Sequence, residues 1–388
     1  MPGRELEFDY NGATSDISTP KVLQELLARA DVRINGPHPW DIQVRDARVF
    51  RAVLLKGSLG FGESYVDGHW ECSDLAGLMT RLLNARLDEA PRGLARVFHG
   101  FHELRNRVCN LQSVRRAFHV GERHYDIGND LYAAMLDAHW CYSCGYWSQA
   151  DHLDAAQEAK LDLICRKLQL EPGMKVLEVG CGWGSLAHFM ASRYEVEVHG
   201  ITVSREQAEM AAERCAGLKV AIELVDYREV RGRYDRIVSV GMFEHVGHKN
   251  YRTYFSSLSD CLAPDGLFLL HTIGTEHSAS GLDPWIDRYI FPNGELPSMP
   301  RLTAALPDGM VIEDLHNFGP DYERTLLAWW QNFQLAWPKL SSRYDERFAR
   351  MWRYYLLSCA AFFRSRRGQL WQMVLAPVNR AEAYRSVR

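Results

Sequence analysis

The stretch KVLEVGCGWGSL, from Lys175 to Leu186, carries a short apolar strand pattern in Val176, Leu177 and Val179, broken by Gly180, Gly182 and Gly184. A strand ends there and a helix begins. Glycines at alternate positions let the backbone turn sharply with positive φ, and let a flat ligand come closer than any side chain would allow. The stretch reads as a cofactor loop. A dinucleotide fold asks for G-x-G-x-x-G and an acid about 20 residues further on, at the end of the second strand. The spacing here is G-x-G-x-G, and the second strand pattern, Val196 to Val203, runs on to Ser204 with no terminal acid. After the third strand pattern, Lys219 to Val225, stand Asp226 and Tyr227, an acid beside an aromatic, suited to the exocyclic amine and the face of an adenine.

Around this loop helix and strand patterns alternate: a helix to Leu170, the loop, a helix to Arg193, then a strand, the helix Arg205 to Cys215, another strand, and Tyr234 to Met242. That order predicts an α/β, doubly wound, Rossmann-like sheet. Its glycine spacing and the Asp226-Tyr227 pair resemble the class I S-adenosylmethionine (SAM) methyltransferases. At the end of the fourth strand stands MFEHVGH, which places Glu244 and His245 where ligands of such sheets bind. Glu244, His245 and His248 have metal-ligand chemistry, but a buried, hydrogen-bonded glutamate explains the same residues, and no metal is expected. Helix Tyr251 to Leu262 leads to the strand LFLLHTIG, with His271 and Ile273 at its mouth. Residues 274–300, rich in Gly, Pro and aromatics, interrupt the sheet in the manner of a lid. A sixth strand is expected around Met310 to Leu315 and a last one at LWQMVL, with aromatic-striped helices between them.

Upstream, Lys21 to Ala30 has helical spacing, Asp41 to Leu55 alternates more like strands, and glycines at 57, 60, 62 and 68 suggest a compact, turn-rich unit. Residues 1–90 are therefore expected to form a small separate domain and 124–388 the catalytic one. Between Pro91 and Arg123 seven arginines face only Glu103 and Glu122, while Leu94, Val97, Phe98, Phe101, Leu104 and Val108 keep helical spacing. Such a basic amphipathic segment suits an anionic membrane surface, and equally a linker helix packed on its neighbour. Cys141 and Cys144 form a C-x-x-C, but no second pair or His cluster follows for zinc, and the surroundings do not suggest a redox helix.

With 388 residues, 47% of them hydrophobic, the chain can bury a large core. Its first twenty residues lack an apolar run behind a basic start, and no window approaches the ~20 apolar residues of a membrane span, so a cytoplasmic protein is expected. Nine scattered cysteines argue against a secreted disulfide framework, and a net charge of −4 against a general nucleic-acid binder.

Seven stretches in this order, YSCGYW, VLEVGCGWG, GMFEHVG, HTIG, DPWIDRYIFPNG, DYERTLLAWW and YYLLSCAAFFRSR, together with GSLGFGESYVDGHWEC near the start, resemble the cyclopropane-fatty-acyl-phospholipid synthase family. The resemblance implies SAM as co-substrate, an unsaturated phospholipid in a bilayer as substrate, peripheral membrane contact and a homodimer. It also implies a bicarbonate ion as general base, held by Cys144, Glu244, His271, Tyr322 and the backbone carbonyl of Ile273. The cofactor positions it carries over are Tyr142, Ser143, Gly180, Gly182, Thr202, Gln207, Asp226 and Tyr227, and Gly184 completes the glycine turn. Cys359 matches a cysteine singled out as catalytic in that family. Its apolar helix YYLLSCAAFF nevertheless predicts an un-ionised, inert thiol.

The implied chemistry suits these residue types. An unactivated double bond must meet the sulfonium methyl in a dry pocket, and a carbocation follows. Aromatic faces such as Tyr142, Tyr146, Trp147 and Tyr322 can stabilise that cation by about 1 to 2 kcal/mol each when desolvated. A small anion is then a reasonable base. Three other functions stay open: lipid C-methylation that leaves a methyl branch, methyl transfer to a small soluble molecule, and a non-catalytic lipid-binding protein that retains the SAM fold.

Overall fold

The computed structural model describes residues 19–87, 128–278 and 281–388. The basic segment Pro91 to Arg123, and His124 to Ile127 after it, lie outside them. The described residues form two compact units that divide the chain differently from the expected 1–90, 91–123 and 124–388. The first gathers 19–87, 282–292 and 323–367; the second holds 128–278, 281, 293–322 and 368–388.

In the first unit, helix Lys21–Ala28 matches its apolar spacing. The expected strands between Asp41 and Leu55 shrink to β1 (Gln43–Val44), paired antiparallel with β2 (Trp70–Glu71), and Arg48–Lys56 is a helix. The turn-rich reading of the next stretch is also corrected, because Ser58–Val66 is a helix that contains Gly60 and Gly62. Those glycines serve close packing. A Cβ on Gly60 would lie 2.1 Å from the Ala52 carbonyl oxygen, and one on Gly62 would lie 2.5 Å from the Trp285 ring.

The sequence-remote helix Glu346–Arg364 joins this unit through Arg350, which is buried. Its guanidinium donates to the Tyr65 carbonyl (2.8 and 2.6 Å) and the Trp70 carbonyl (3.2 Å), and it pairs with Glu71. One cation thus ties the end of helix Ser58–Val66, where the Tyr65 carbonyl also accepts from the Gly68 amide, to β2. Gly→Ala in an open helix stabilises by roughly 1 kcal/mol. At Gly60 the Ala52 backbone stands in the way, so Gly60→Ala should instead lower the melting temperature by several degrees in a thermal melt. An unchanged or raised value would show that the two helices are not in such close contact.

The second unit is built on a seven-stranded sheet in the order β5-β4-β3-β6-β7-β9-β8. Its strands are β3 (Lys175–Val179), β4 (Glu197–Thr202), β5 (Val220–Leu224), β6 (Tyr234–Val240), β7 (Leu262–Thr275), β8 (Met310–Asn317) and β9 (Gly368–Pro377). β3 to β7 run parallel, as the alternating helices require, and β9 is antiparallel to both β7 and β8.

Alternate residues feed two cores. Leu177, Ile237, Phe268, Leu270 and Met373 face the one that includes Tyr254 and Phe255 of helix Tyr251–Cys261. Val176, Val238, Leu267, Leu269 and Val374 face the one that includes Leu161 and Ile164 of helix Leu153–Lys167 and Phe189 of helix Ser185–Tyr194. This period of two on both faces is why the strands read as near-continuous apolar runs.

The stretch read as a lid is divided between the units. Helix Pro284–Tyr289 lies in the first, with Trp285 fully buried. Helix Met299–Ala304 lies in the second, where Ser298 bridges to Thr275.

Candidate active site

The chain leaves β3, builds β4 and β5 on one side, then returns to β6 and β7 on the other. The carboxyl ends of β3 and β6 therefore flank the switch point where open α/β sheets bind ligands. Gly180, Gly182 and Gly184 leave β3 with φ of 82°, 53° and 78°, in the left-handed region that favours glycine. A Cβ on Gly182 would meet nothing within 4 Å, so open space lies beside the turn. Glu178, just before the turn, is buried; desolvation pushes its carboxyl up to about 8, and its Oε2 makes no hydrogen bond among the described residues.

At the end of β4 the Thr202 hydroxyl donates to Gln207 Oε1 (3.1 Å) and accepts from the Ser204 amide (3.2 Å), which ties the second strand to the helix after it. Asp226 follows β5 and is buried, accepting from the Arg228 amide (3.0 Å) and guanidinium (3.4 Å). Tyr227 belongs to the core: Arg228 covers its ring at 4.7 Å, and its edge meets Tyr254 at 5.0 Å.

The segment Cys141 to Trp147 is held beside the ends of these strands. Tyr142 packs edge-on against Tyr132 (5.2 Å), which in turn meets Trp183 of the glycine loop (4.9 Å). From helix Leu153–Lys167, Lys160 Nζ donates to Ser143 Oγ (2.9 Å) and Gln157 Nε2 to the Ser143 carbonyl (2.8 Å). The Trp147 amide donates to Asp321 (2.7 Å), in the first turn of helix Pro320–Leu340.

Four of the five proposed base-site residues meet through two contacts. Cys144 packs in one cluster with Phe318, Leu370, Ile273, Tyr146 and Tyr322. Glu244 Oε1 accepts from the Ile273 amide (2.7 Å). The fifth, His271, sets its ring edge-on to Phe318 of the same cluster at 5.8 Å.

Electrostatically this corner is unusual. Glu244 is buried, and desolvation pushes its carboxyl up to about 7, opposed by the Ile273 amide, then by its own amide and the Thr272 side chain. His271 is driven well below its ordinary value by burial, then by Lys160, Lys167 and His316, so the imidazole is neutral. Glu244 Oε2 and His271 Nε2 are both buried and without a hydrogen-bond partner among the described residues. Buried polar atoms are ordinarily paired, so each of these two has room in its hydrogen bonding for a small polar guest.

The other candidates have separate partners. His248 Nδ1 meets Glu295 (2.8 Å), which also pairs with Arg301 (2.9 Å), and burial lowers His245 to about 4. Among the described residues no group of three or more His, Cys, Asp or Glu side chains could hold a metal ion. Cys359 lies in the first unit, and burial pushes its thiol up to about 12. The glycine loop and the five base-site residues lie in the second.

Sequence reading missed Lys160, Gln157, Phe318 and Gln372. A lysine in the half-apolar helix pattern AKLDLI and a glutamine in the strand LWQMVL were the only signals for two of them.

Residues 112–373 match the family model described as mycolic acid cyclopropane synthetase. The chain is 52% identical over 360 residues to the cyclopropane-fatty-acyl-phospholipid synthase of Escherichia coli strain K12, covering 92% of this chain and 93% of that one. It is 35% identical over 347 residues to the tuberculostearic acid methyltransferase UfaA1 of Mycobacterium tuberculosis, covering 81% and 78%. Among solved structures, the mycolic acid cyclopropane synthase CmaA1 complexed with SAH and CTAB matches with a TM-score of 0.62 at 33% identity, over 66% of this chain and 97% of that one. The sheet is that of the class I SAM-dependent methyltransferases, as the glycine spacing led one to expect. On these matches, and on the glycine turn and polar corner that its sheet brings together, the chain belongs to the mycolic acid cyclopropane synthetase family.

Proposed function

We propose that this enzyme adds a methylene from SAM across the cis double bond of unsaturated phospholipid acyl chains, closing a cyclopropane ring with a bound bicarbonate as the base. The observation that carries the reading is the pair of buried, unpartnered atoms, Glu244 Oε2 and His271 Nε2, beside an apolar and aromatic cluster. The open space at Gly182, and the SAH complex of the related CmaA1, support SAM as the co-substrate.

When bound, SAM supplies an electrophilic methyl and bicarbonate supplies a proton acceptor. The chain does the rest. The glycine turn, Thr202, Gln207, Asp226, Tyr142 and Ser143 hold and orient the co-substrate. The new carbon bonds to one alkene carbon as its bond to sulfur breaks, and positive charge appears on the other alkene carbon. Tyr146 and Tyr322 exclude water and present aromatic faces to that charge. Ring closure uses the electron pair of one C–H bond of the added carbon and releases one proton. His271 Nε2 and the Tyr322 hydroxyl hold the base by donating to it, and Cys144 with the Ile273 carbonyl complete its shell. Glu244 Oε2 takes over the proton, and a carboxyl near 7 is matched to that transfer. Cys359 takes no step.

The proposed membrane contact rests on the basic amphipathic pattern of Pro91 to Arg123, and a homodimer is part of the same proposal. Among the described residues no helix is long and apolar enough to cross a membrane.

A second reading has support in the relative named as a tuberculostearic acid methyltransferase. There the charge would be quenched elsewhere, and a branch would remain in place of a ring. Purified protein incubated with SAM and vesicles of unsaturated phospholipid separates the two. The expected product gains one methylene and shows the upfield ring-proton resonances of a cyclopropane by NMR. A product with branch-methyl or exomethylene signals and no ring resonances would replace the first reading by the second.

A further inference from the structure

Gln372 lies on β9 at the register position that pairs with His271 of β7 on one side and with His316 of β8 on the other. Within a strand otherwise filled by Leu370, Trp371, Met373, Val374 and Leu375 it is a fully buried amide. Its Nε2 stands 3.2 Å from His271 Nδ1. With its Nε2 turned to the ring the amide donates and Nδ1 accepts, which confines the single proton of a neutral imidazole to Nε2 and leaves Gln372 Oε1 buried without a partner among the described residues. That Nε2 is the buried atom without a partner.

We propose that Gln372 is a positioning residue that fixes the tautomer of His271, so that the imidazole presents an N–H to the guest of the base site and has no lone pair there with which to act as the base itself. The inference rests on the base-site reading given above and deepens it, because it supplies a reason for an external base. The ring that stands where a general base is wanted is locked as a donor. Phe318 holds the same ring from its side, edge-on at 5.8 Å. Nearby Lys160 and Lys167 oppose a second proton on it. A donor-locked imidazole, the Tyr322 hydroxyl and a proton-accepting Glu244 form a set that holds an oxyanion by two of its oxygens and takes a hydrogen from its hydroxyl.

The test starts from the wild-type protein labelled with 15N-histidine, in carbonate-free buffer. Two-bond 1H–15N correlation spectra, with His271 assigned by its loss in His271→Asn, should show Nε2 protonated and Nδ1 unprotonated across the neutral range. A protonated Nδ1 would overturn the inference, whatever the role of bicarbonate. In Gln372→Leu the donor to Nδ1 is gone. His271 should then show a mixture of tautomers, and half-maximal activity should need at least about ten times more added bicarbonate, while the dissociation constant for SAM stays within about twofold. A purely structural role would lower activity without moving the tautomer or the bicarbonate demand, and that result would also overturn it. Wild-type activity independent of bicarbonate would remove the base-site reading, whereas the tautomer spectrum tests the lock without reference to it.

Discussion

Glu244→Gln should lower turnover by a hundredfold to ten-thousandfold, about 3 to 5 kcal/mol of barrier, while SAM still binds. The reason is positional. Oε1 is engaged by the Ile273 amide at 2.7 Å, and a glutamine oxygen can keep that bond. Oε2 makes no hydrogen bond within the described protein, and an amide nitrogen in its place cannot take up a proton. The co-substrate contacts proposed at Gly182, Thr202 and Asp226 lie on other strand ends, so isothermal titration should give an unchanged SAM affinity. If turnover stayed within a few-fold of wild type, Glu244 would have no part in moving the proton.

The pH dependence carries the same claim with its sign. Burial raises the Glu244 carboxyl to about 7, so below that value it is protonated and cannot accept. The wild-type kcat/KM should therefore fall on the acid side with an apparent pKa near 7, and in Glu244→Gln that limb should move to the lower pH at which bicarbonate itself is protonated. Stability moves separately. Between its ordinary value of 4.5 and about 7 the unfolded chain releases this proton and the folded chain keeps it, so wild-type stability declines through that window and stays lower above it. Without this carboxyl, the melting temperature of Glu244→Gln relative to wild type should be higher at pH 8 than at pH 4.5. A constant difference at the two pH values would show that the group is not desolvated as described.

Gly182→Val should weaken SAM binding by at least a hundredfold, about 3 kcal/mol, without unfolding the protein. A branched side chain at φ 53° is strained, by roughly 1 to 2 kcal/mol, but its Cβ meets no protein atom within 4 Å. What it fills is the open space beside the turn. Gly173 provides the control, since it has φ 84°, nothing within 4 Å, and a place in the turn before β3. Gly173→Val should suffer similar strain and bind SAM as wild type does. Equal SAM affinity in folded Gly182→Val and wild type would take the cofactor from this loop.

Much of the sheet was legible in the sequence because its signals are local. β3, β4, β6 and the helices between them follow from apolar runs of strand length, helical spacing and the three glycines, each of which acts on its own stretch of backbone. β8 and β9 were legible as strands, but their place was not. Nothing in Gly368–Pro377 states that it runs antiparallel between β7 and β8; that is decided by pairing with strands far away in the chain. The misread N-terminal stretch has the same cause. Gly60 and Gly62 look like turn residues in one dimension, yet they are gaps cut for an Ala52 carbonyl and a Trp285 ring that lie 8 and more than 200 residues away.

For the active site the division is sharper. The residue types of the proposed base site came from the family resemblance, and the strand-end positions of Glu244, His271 and Ile273 were legible from the alternation of helix and strand. Which atoms are satisfied was not. That Ile273 engages Glu244 by its amide, that Lys160 reaches Ser143, that Tyr227 turns into the core, and that Gln372 meets His271 are consequences of register between strands far apart in sequence. By itself the sequence determined the parallel sheet, the glycine turn and the family, since propensity, periodicity and motif are properties of contiguous residues. Tertiary structure alone decided which helices join the N-terminal unit, which carboxyl is desolvated to about 7 and which imidazole nitrogen is left without a partner. Burial and hydrogen bonding across strands depend on the whole chain being packed at once.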